Sequence, residues 1–387
     1  MQSLHKKVVV ITGAASGIGR ALALECAGRG ARLFLADIDE AGLADVCARV
    51  QAAGTQCQTK RVDAGSEADI FALAQACAER YGGADVLINN AGVTLVSSVD
   101  KLQTPDAQWL MNINFWGVVH GCRAFLPQMR KRPEAMLVNI SSIFAMVSVP
   151  SQSMYNAAKA AVRGFSDSLR EELRSSSVAV LCVHPGGIRT NIANSARMAD
   201  LSLLEMSAQQ MRDGFAQNAR TTPEQAATAI VRAIERGQTR LMIGMDARIL
   251  DWVYRIVPAR ASGWITALGR RRQQATLRQL REQAGHPQAV NSRNQIRPAI
   301  KVIKALLLTT YALAIISLFT ALPFGAGPLL QGATLILLGI HLLELLVVFK
   351  HVKLYRGALA ASVALTMLYG LLHWKPLADA QAHKSPS

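Results

Sequence analysis

Tyr155 and Lys159 stand four residues apart in MYNAAKAAVRGF, so on a helix their phenol and ammonium share one face. A phenol with pKa near ~10 is a poor base at neutral pH, and bringing it to about 7 takes roughly 4 kcal/mol of differential stabilisation of the phenolate. A cation one turn away supplies part of that. Ser142 lies upstream in the same stretch, NISSIFAMVSVPSQSMYNAAK.

A second group of residues has a different chemistry. Thr12-Gly13-Ala14-Ala15-Ser16-Gly17-Ile18-Gly19 follows an apolar run and opens a helical one. Glycines there let the backbone turn tightly and approach a pyrophosphate, whose charge the free N–H groups of the helix start welcome. Asp37 closes the next apolar run, where its carboxylate is placed to accept from both adenosine ribose hydroxyls and to repel a 2′-phosphate. NAD is therefore the expected cofactor and NADP the less favoured one. Its oxidised nicotinamide is positive and adds to the ammonium's pull on Tyr155.

These groups need a scaffold that gathers them. KVVVIT, ARLFLAD, CQTKRVD, ADVLINN, AMLVNIS, VAVLCVHP and RLMIG read as seven buried strands separated by alanine- and leucine-rich helical stretches. That pattern predicts an α/β fold, a doubly wound parallel Rossmann-type sheet with ligands beyond the carboxyl ends of its strands. The N-terminus, MQSLHKKVVVITG, reads as the first strand and not as a signal peptide. The six cysteines precede residue 200 and form no CxxC pair, which points to a reducing compartment.

Taken in order, TGAASGIG, Asp63 in VDAG, NNAG at Asn89 to Gly92, Asn114 in MNINFWG, Ser142, YNAAK and HPGGIRT resemble the short-chain dehydrogenase/reductase family over about residues 5 to 250. The resemblance implies that Tyr155 exchanges a proton with the substrate oxygen, Ser142 polarises that oxygen, and Lys159 holds the nicotinamide ribose while lowering the tyrosine pKa. It implies that Asn114 keeps a helix irregularity and a water that relays protons from Lys159. Gly13, Ser16, Gly17, Ile18 and Gly19 would cradle the dinucleotide, Asp63 would contact adenine, and Asn90 and Ala91 would line the ribose side. Pro185, Gly186, Ile188 and Thr190 would cover the nicotinamide amide. Residues 193 to 219 lie where the family places a substrate lid, and their Met198, Leu201, Leu203, Leu204, Met206, Met211 and Phe215 suit either an adaptable apolar pocket or plain packing on the sheet. His184, His120 and the cysteines read as packed, neutral groups.

The chain continues well past this enzyme. From Arg236 to Lys304, twelve arginines and two lysines face Asp246, Asp251 and Glu282. Within that basic stretch, residues 251–299 read as an amphipathic junction in which Trp252 and Trp264 suit an interface. Three apolar runs follow at 305–322, 329–349 and 358–374, each near the ~20 residues that cross a bilayer's hydrocarbon. Residues 300–376 are thus expected to form a small all-α membrane domain with three transmembrane helices, and 377–387 a disordered tail. His341 and Glu344 fall three apart in the second run and read as an internal polar pair, with a metal or proton path as the lesser option. The tail is similar to a small bacterial inner-membrane domain of unknown function through that HxxE and the WKPL after its last run. Lys301 and Lys304 before the first run, and Lys350, Lys353 and Arg356 after the second, place the enzyme on the cytoplasmic side of a bacterial inner membrane.

The resulting expectation is a multi-pass membrane oxidoreductase that moves hydride between NAD(H) and a lipophilic secondary alcohol or ketone, steroid-like or fatty. Its partners are that substrate and membrane lipid, with a homo-oligomer left open. A membrane protein that uses the dehydrogenase fold to sense NAD redox state is the alternative, and the intact Ser142, Tyr155 and Lys159 weigh against it. Nucleic acid is not expected, because no aromatic-basic interleaving or recognition motif accompanies the charge.

Overall fold

A computed structural model describes residues 2–190, 192, 195–200 and 207–267, and beyond them the helical pieces 309–314 and 331–340 with residue 328. The chain divides into two units, Met1–Arg272 and Gln273–Ser387. Most of the three apolar runs, His341 and Glu344, the junction past residue 267 and the tail from 377 lie outside the described residues. Among the described residues no helix is long and apolar enough to cross a membrane.

The seven expected strands form one parallel sheet in the order β3-β2-β1-β4-β6-β7-β9. These are β1 (Val8–Thr12), β2 (Arg32–Asp37), β3 (Cys57–Arg61), β4 (Val86–Asn89), β6 (Ala135–Ile140), β7 (Val178–Pro185) and β9 (Arg240–Ile243). The sequence reading missed a short parallel pair, β5 (Leu95–Val96) with β8 (Arg197–Met198). Two residues per strand are too few to give a periodic signal.

Strand residues alternate between two apolar cores, as a pleat covered on both faces requires. Val9, Ile11, Leu33, Leu35, Val86 and Ile88 pack on one face with α1 (Gly17–Gly28), α2 (Glu40–Ala52) and α8 (Pro223–Glu235). Val8, Val10, Phe34, Ala36, Leu87 and Leu137 turn to the other, under α3 (Glu67–Tyr81), α5 (Gly117–Met129) and α6 (Ser153–Glu172). The helices start where short polar side chains take up free N–H groups: Asp39 accepts from Gly42 N, Ser66 from Asp69 N, and Thr222 with Gln225 closes a capping box at α8. Strand order reverses beside β1, opening the crevice between the ends of β1 and β4. Of the remaining helices, α7 (Ala208–Asn218) and α9 (Met245–Ile256) reach its rim, and α4 (Thr104–Met111) leads into the turn that brings Ile113 to its wall.

Candidate active site

A cavity of about 590 Å³ opens at the carboxyl ends of the strands. Its walls include Gly13, Ser16, Gly17, Ile18, Asp37, Asp63, Asn90 and Ala91 at one end, and Ser142, Tyr155, Lys159, Pro185, Gly186, Ile188 and Thr190 toward the other. A second depression of similar volume, between residues 148–150 and 262–267, is lined without a titratable side chain.

The first end is held by backbone crowding. Gly13 has φ +66°, and a Cβ there would sit 2.8 Å from Ala91 Cα. Gly19 does not line the cavity; a Cβ on it would overlap the carbonyl oxygen of Gly13, so it lets α1 approach the loop. Asn90 does more than border the cavity. Its side-chain amide donates to the Thr12 and Gly13 carbonyls at 3.0 Å each, while Thr12 Oγ1 accepts from Asn90 N at 3.1 Å and Ala91 N at 3.2 Å.

Asp37 Oδ2 accepts from Ala15 N at 2.9 Å and Oδ1 from Asp39 N at 3.1 Å, which orients the carboxylate and leaves further lone pairs on each oxygen. Asp63 Oδ1 accepts from Gly65 N at 2.8 Å. The Ser16 side chain makes no capping bond to α1, although Ser16 precedes the helix start and lines the cavity. A diphosphate fits this cradle, with the first residues of a twelve-residue helix, Gly17 and Ile18, at the wall.

At the other end Ser142 follows β6, and its Oγ accepts from Phe144 N at 3.1 Å. Tyr155 and Lys159 both lie on α6, with Lys159 Nζ 5.8 Å from the Tyr155 ring centroid. Lys159 is 4% exposed and donates to the Ile140 carbonyl at 3.0 Å. Burial pulls its pKa down to about 8, so it remains largely protonated at neutral pH. Burial also raises the Tyr155 phenol, and the Ser142 hydroxyl offsets only part of that rise. The protein alone thus leaves the phenol raised, and the lowering expected from ammonium and oxidised nicotinamide together needs the cofactor. Positive charge has to be brought alongside the phenol.

Asn114 lies, fully buried, inside a π-helical turn, Asn112–Trp116, between α4 and α5. Its amide bonds both backbone groups of Val93, accepting from N at 2.8 Å and donating to O at 2.9 Å. A Cβ built on Gly92 would lie 3.4 Å from Asn114 Oδ1 and 3.5 Å from Lys159 Nζ, so carbonyl and ammonium flank one small space.

Two contributors escape a reading by motif. His184 is buried on β7, and its Nδ1 lies 3.3 Å from the Ser142 carbonyl, so the Nδ1–H tautomer donates there and ties the serine's backbone to the next strand. Burial lowers its pKa to about 4, keeping the ring neutral. Asp246, in the first turn of α9, accepts from Gly187 N at 2.6 Å through Oδ2. A Cβ on Gly186 would overlap the same carboxylate. Of the expected lid, Met211 lines the cavity and Met198 pairs in β8, while residues 201–206 and the Phe215 side chain lie outside the described ones.

A doubly wound sheet with a glycine loop at its switch point and a Ser-Tyr-Lys group beside it defines a nicotinamide-dependent dehydrogenase or reductase. A family model described as short chain dehydrogenase matches residues 7–200. The chain belongs to that short-chain dehydrogenase/reductase family, whose fold binds NAD(P). It is 41% identical over 259 residues to a Mycobacterium tuberculosis protein that bears the name oxidoreductase SadH, spanning 66% of this chain and 93% of that one. Among solved structures, a short chain dehydrogenase/reductase from Burkholderia phymatum in complex with NAD is 32% identical, covering 62% of this chain and 90% of its own, with TM-score 0.58. A short-chain dehydrogenase from Streptomyces avermitilis is 31% identical, covering 67% and 97%, with TM-score 0.59.

Proposed function

We propose that this protein is a membrane-held, NAD-dependent dehydrogenase or ketone reductase for a lipophilic secondary alcohol, steroid-like or fatty. The observation that carries this reading is the meeting of Ser142, Tyr155 and Lys159 in a cavity whose lining also includes the apolar Val93, Ile143, Phe144, Met211 and Leu250. A bound nicotinamide dinucleotide supplies hydride transfer and, when oxidised, a positive charge. The chain's own residues do the rest. The Ser142 hydroxyl donates to the substrate oxygen, and the Tyr155 phenol gives that oxygen a proton in reduction or takes it in oxidation. The Lys159 ammonium has N–H donors beyond the one given to Ile140 O, available to ribose hydroxyls.

NAD is favoured over NADP by Asp37, and Lys159 is the sole cation among the described residues lining the cavity. The Burkholderia phymatum relative was solved with NAD. Asp37→Ala should narrow the preference, and a wild-type kcat/KM higher with NADP than with NAD would refute it. The apolar runs at 305–322, 329–349 and 358–374 support anchoring in a bacterial inner membrane with the enzyme on the cytoplasmic side, the face that supplies NAD.

The test is turnover of full-length protein in detergent with NAD and a panel of lipophilic secondary alcohols, followed as nicotinamide reduction. Tyr155→Phe should cut kcat by about 10²–10⁴ while leaving NAD affinity nearly intact. Activity that survives this change would sink the catalytic assignment. Activity confined to short, water-soluble alcohols would sink the substrate class.

A further inference from the structure

Helix α9 carries apolar side chains on two sides. Ala247, Leu250, Val253 and Tyr254 face inward, packed with Ile143, Met146 and Val147 beside the Ser142 loop. Met245, Ile249, Trp252 and Ile256 are exposed, Trp252 at 65%. At 100° per residue these four fall within about 60° of one another, a continuous outer stripe along the helix. Trp264, in the following helical stretch 258–267, is also exposed at 55%. Exposed Arg248 and Arg255 border the stripe, and exposed Arg260 stands between it and Trp264. The two acids of α9 are engaged elsewhere: Asp246 accepts from Gly187 N, and Asp251 pairs with Arg240 and Arg255.

A helix that packs inward needs no second apolar face, and an outer stripe holding Trp252, with Trp264 also exposed in the next helical stretch, is costly to leave in water. Tryptophan flanked by arginine suits the boundary between acyl chains and anionic headgroups. We infer that the outer face of α9, with Trp264, is a docking surface for an anionic lipid bilayer, on which the catalytic unit lies down. Leu250, the residue after Ile249, lines the catalytic end of the cavity, as does Asp246. A lipophilic substrate leaving the bilayer therefore meets the cavity beside the docked helix, without crossing bulk water. This last step rests on the proposed substrate class; the docking does not.

The inference is tested with full-length protein reconstituted in phosphatidylcholine vesicles with and without phosphatidylglycerol. Spin labels are placed singly at Ile249→Cys, Trp252→Cys and, as a control on α3, Phe71→Cys, in a Cys47→Ser background. The other five cysteines are buried. NADH binding by each labelled variant checks its fold. In phosphatidylglycerol vesicles, oxygen should relax the labels at 249 and 252 several-fold more than a water-soluble nickel chelate does, with the reverse at 71. Arg248→Gln and Arg260→Gln should each lower the ratio of docked to undocked protein by about fivefold. Labels at 249 and 252 open to the chelate, in protein that stays with the vesicles after a high-salt wash, would overturn docking and leave the anchor standing. Release into the wash with water-exposed labels would overturn both. Dipolar broadening between labels at 252 would show a second copy on this face and overturn the lipid assignment.

Discussion

After β1 the chain turns through Gly13 beneath Asn90, whose amide holds two successive carbonyls, with Ala91 and Gly19 pressed against the turn. After β7 the turn at Gly186 and Gly187 keeps two backbone bonds, Gly186 N to Ile243 O at 2.9 Å and Thr221 N to Gly187 O at 3.4 Å, and the Gly187 N–H is met by one carboxylate, Asp246, brought from α9. The first loop is over-determined, because a Cβ at Gly13 or Gly19 meets backbone as well as the Asn90 amide. In the second, what crowds the glycine is a side chain with rotatable bonds. Both border the same cavity, so a methyl group added at its diphosphate end meets backbone while one added at its nicotinamide end meets a side chain that can turn.

Adding one methyl group to each loop separates the two kinds of support most sharply. Gly19→Ala drives a Cβ into the Gly13 carbonyl oxygen and should weaken dinucleotide binding about a hundredfold, since overpacking against backbone costs ~3 kcal/mol. Gly186→Ala meets only the end of the Asp246 side chain and should cost about tenfold, roughly the loss of one charged hydrogen bond. Equal losses in fluorescence titrations with NADH would erase the distinction.

Protonation probes the second end at its root, where His184 ties β7 to the Ser142 carbonyl. Its folded pKa of about 4 lies below the ordinary value of 6.5, so between those values the unfolded chain binds more protons. This contribution to stability is complete above pH 6.5 and lost as pH falls toward 4, amounting to roughly 3 kcal/mol. His184→Asn should flatten that part of the dependence in denaturant unfolding at stepped pH. A variant whose stability falls as steeply as wild type's would remove the histidine from the account.

A change as small as that of Gly186→Ala is expected at Asp246. Asp246→Ala should raise the Kd for NADH about tenfold through the lost charged bond to Gly187 N, and Asp246→Asn, which keeps an acceptor, should restore most of it. Were both variants equally impaired, charge rather than the hydrogen bond would be holding the loop.

The over-determined loop is also the one legible in the sequence. Gly13, Gly17 and Gly19 lie within seven residues of a β-branched strand, so steric need and local spacing coincide. The same holds for Tyr155 and Lys159 on one helical turn, and for the seven strands, whose apolar runs follow from burial on both faces. Asp246 stands far along the chain from Gly187 and looks like any acid at a helix start. His184 was read as packed and neutral; its tie to Ser142 appears only once β6 and β7 are adjacent. Asn90 lines the cavity as expected, and its second task, bonding the Thr12 and Gly13 carbonyls, shows only in the folded loop. The phenol's pKa was beyond reach too, because spacing places the ammonium but does not reveal how dry the space around it is.

The position of β1 in the sheet bears on how this chain comes off the ribosome. Val9 pairs with Leu33 on one side and with Val86 on the other, so one neighbour is local and the other distant. At about 5–20 residues per second, the edge of β1 that faces β4 waits about 4–15 s for its partner. Until then VVVIT is a β-branched, uncharged strand with an open side, the kind of segment that recruits other chains. Closing so long a loop also slows refolding from denaturant. Yield in a cell-free or refolding experiment should accordingly depend on chaperone supply and protein concentration more steeply than the stability of the finished sheet suggests.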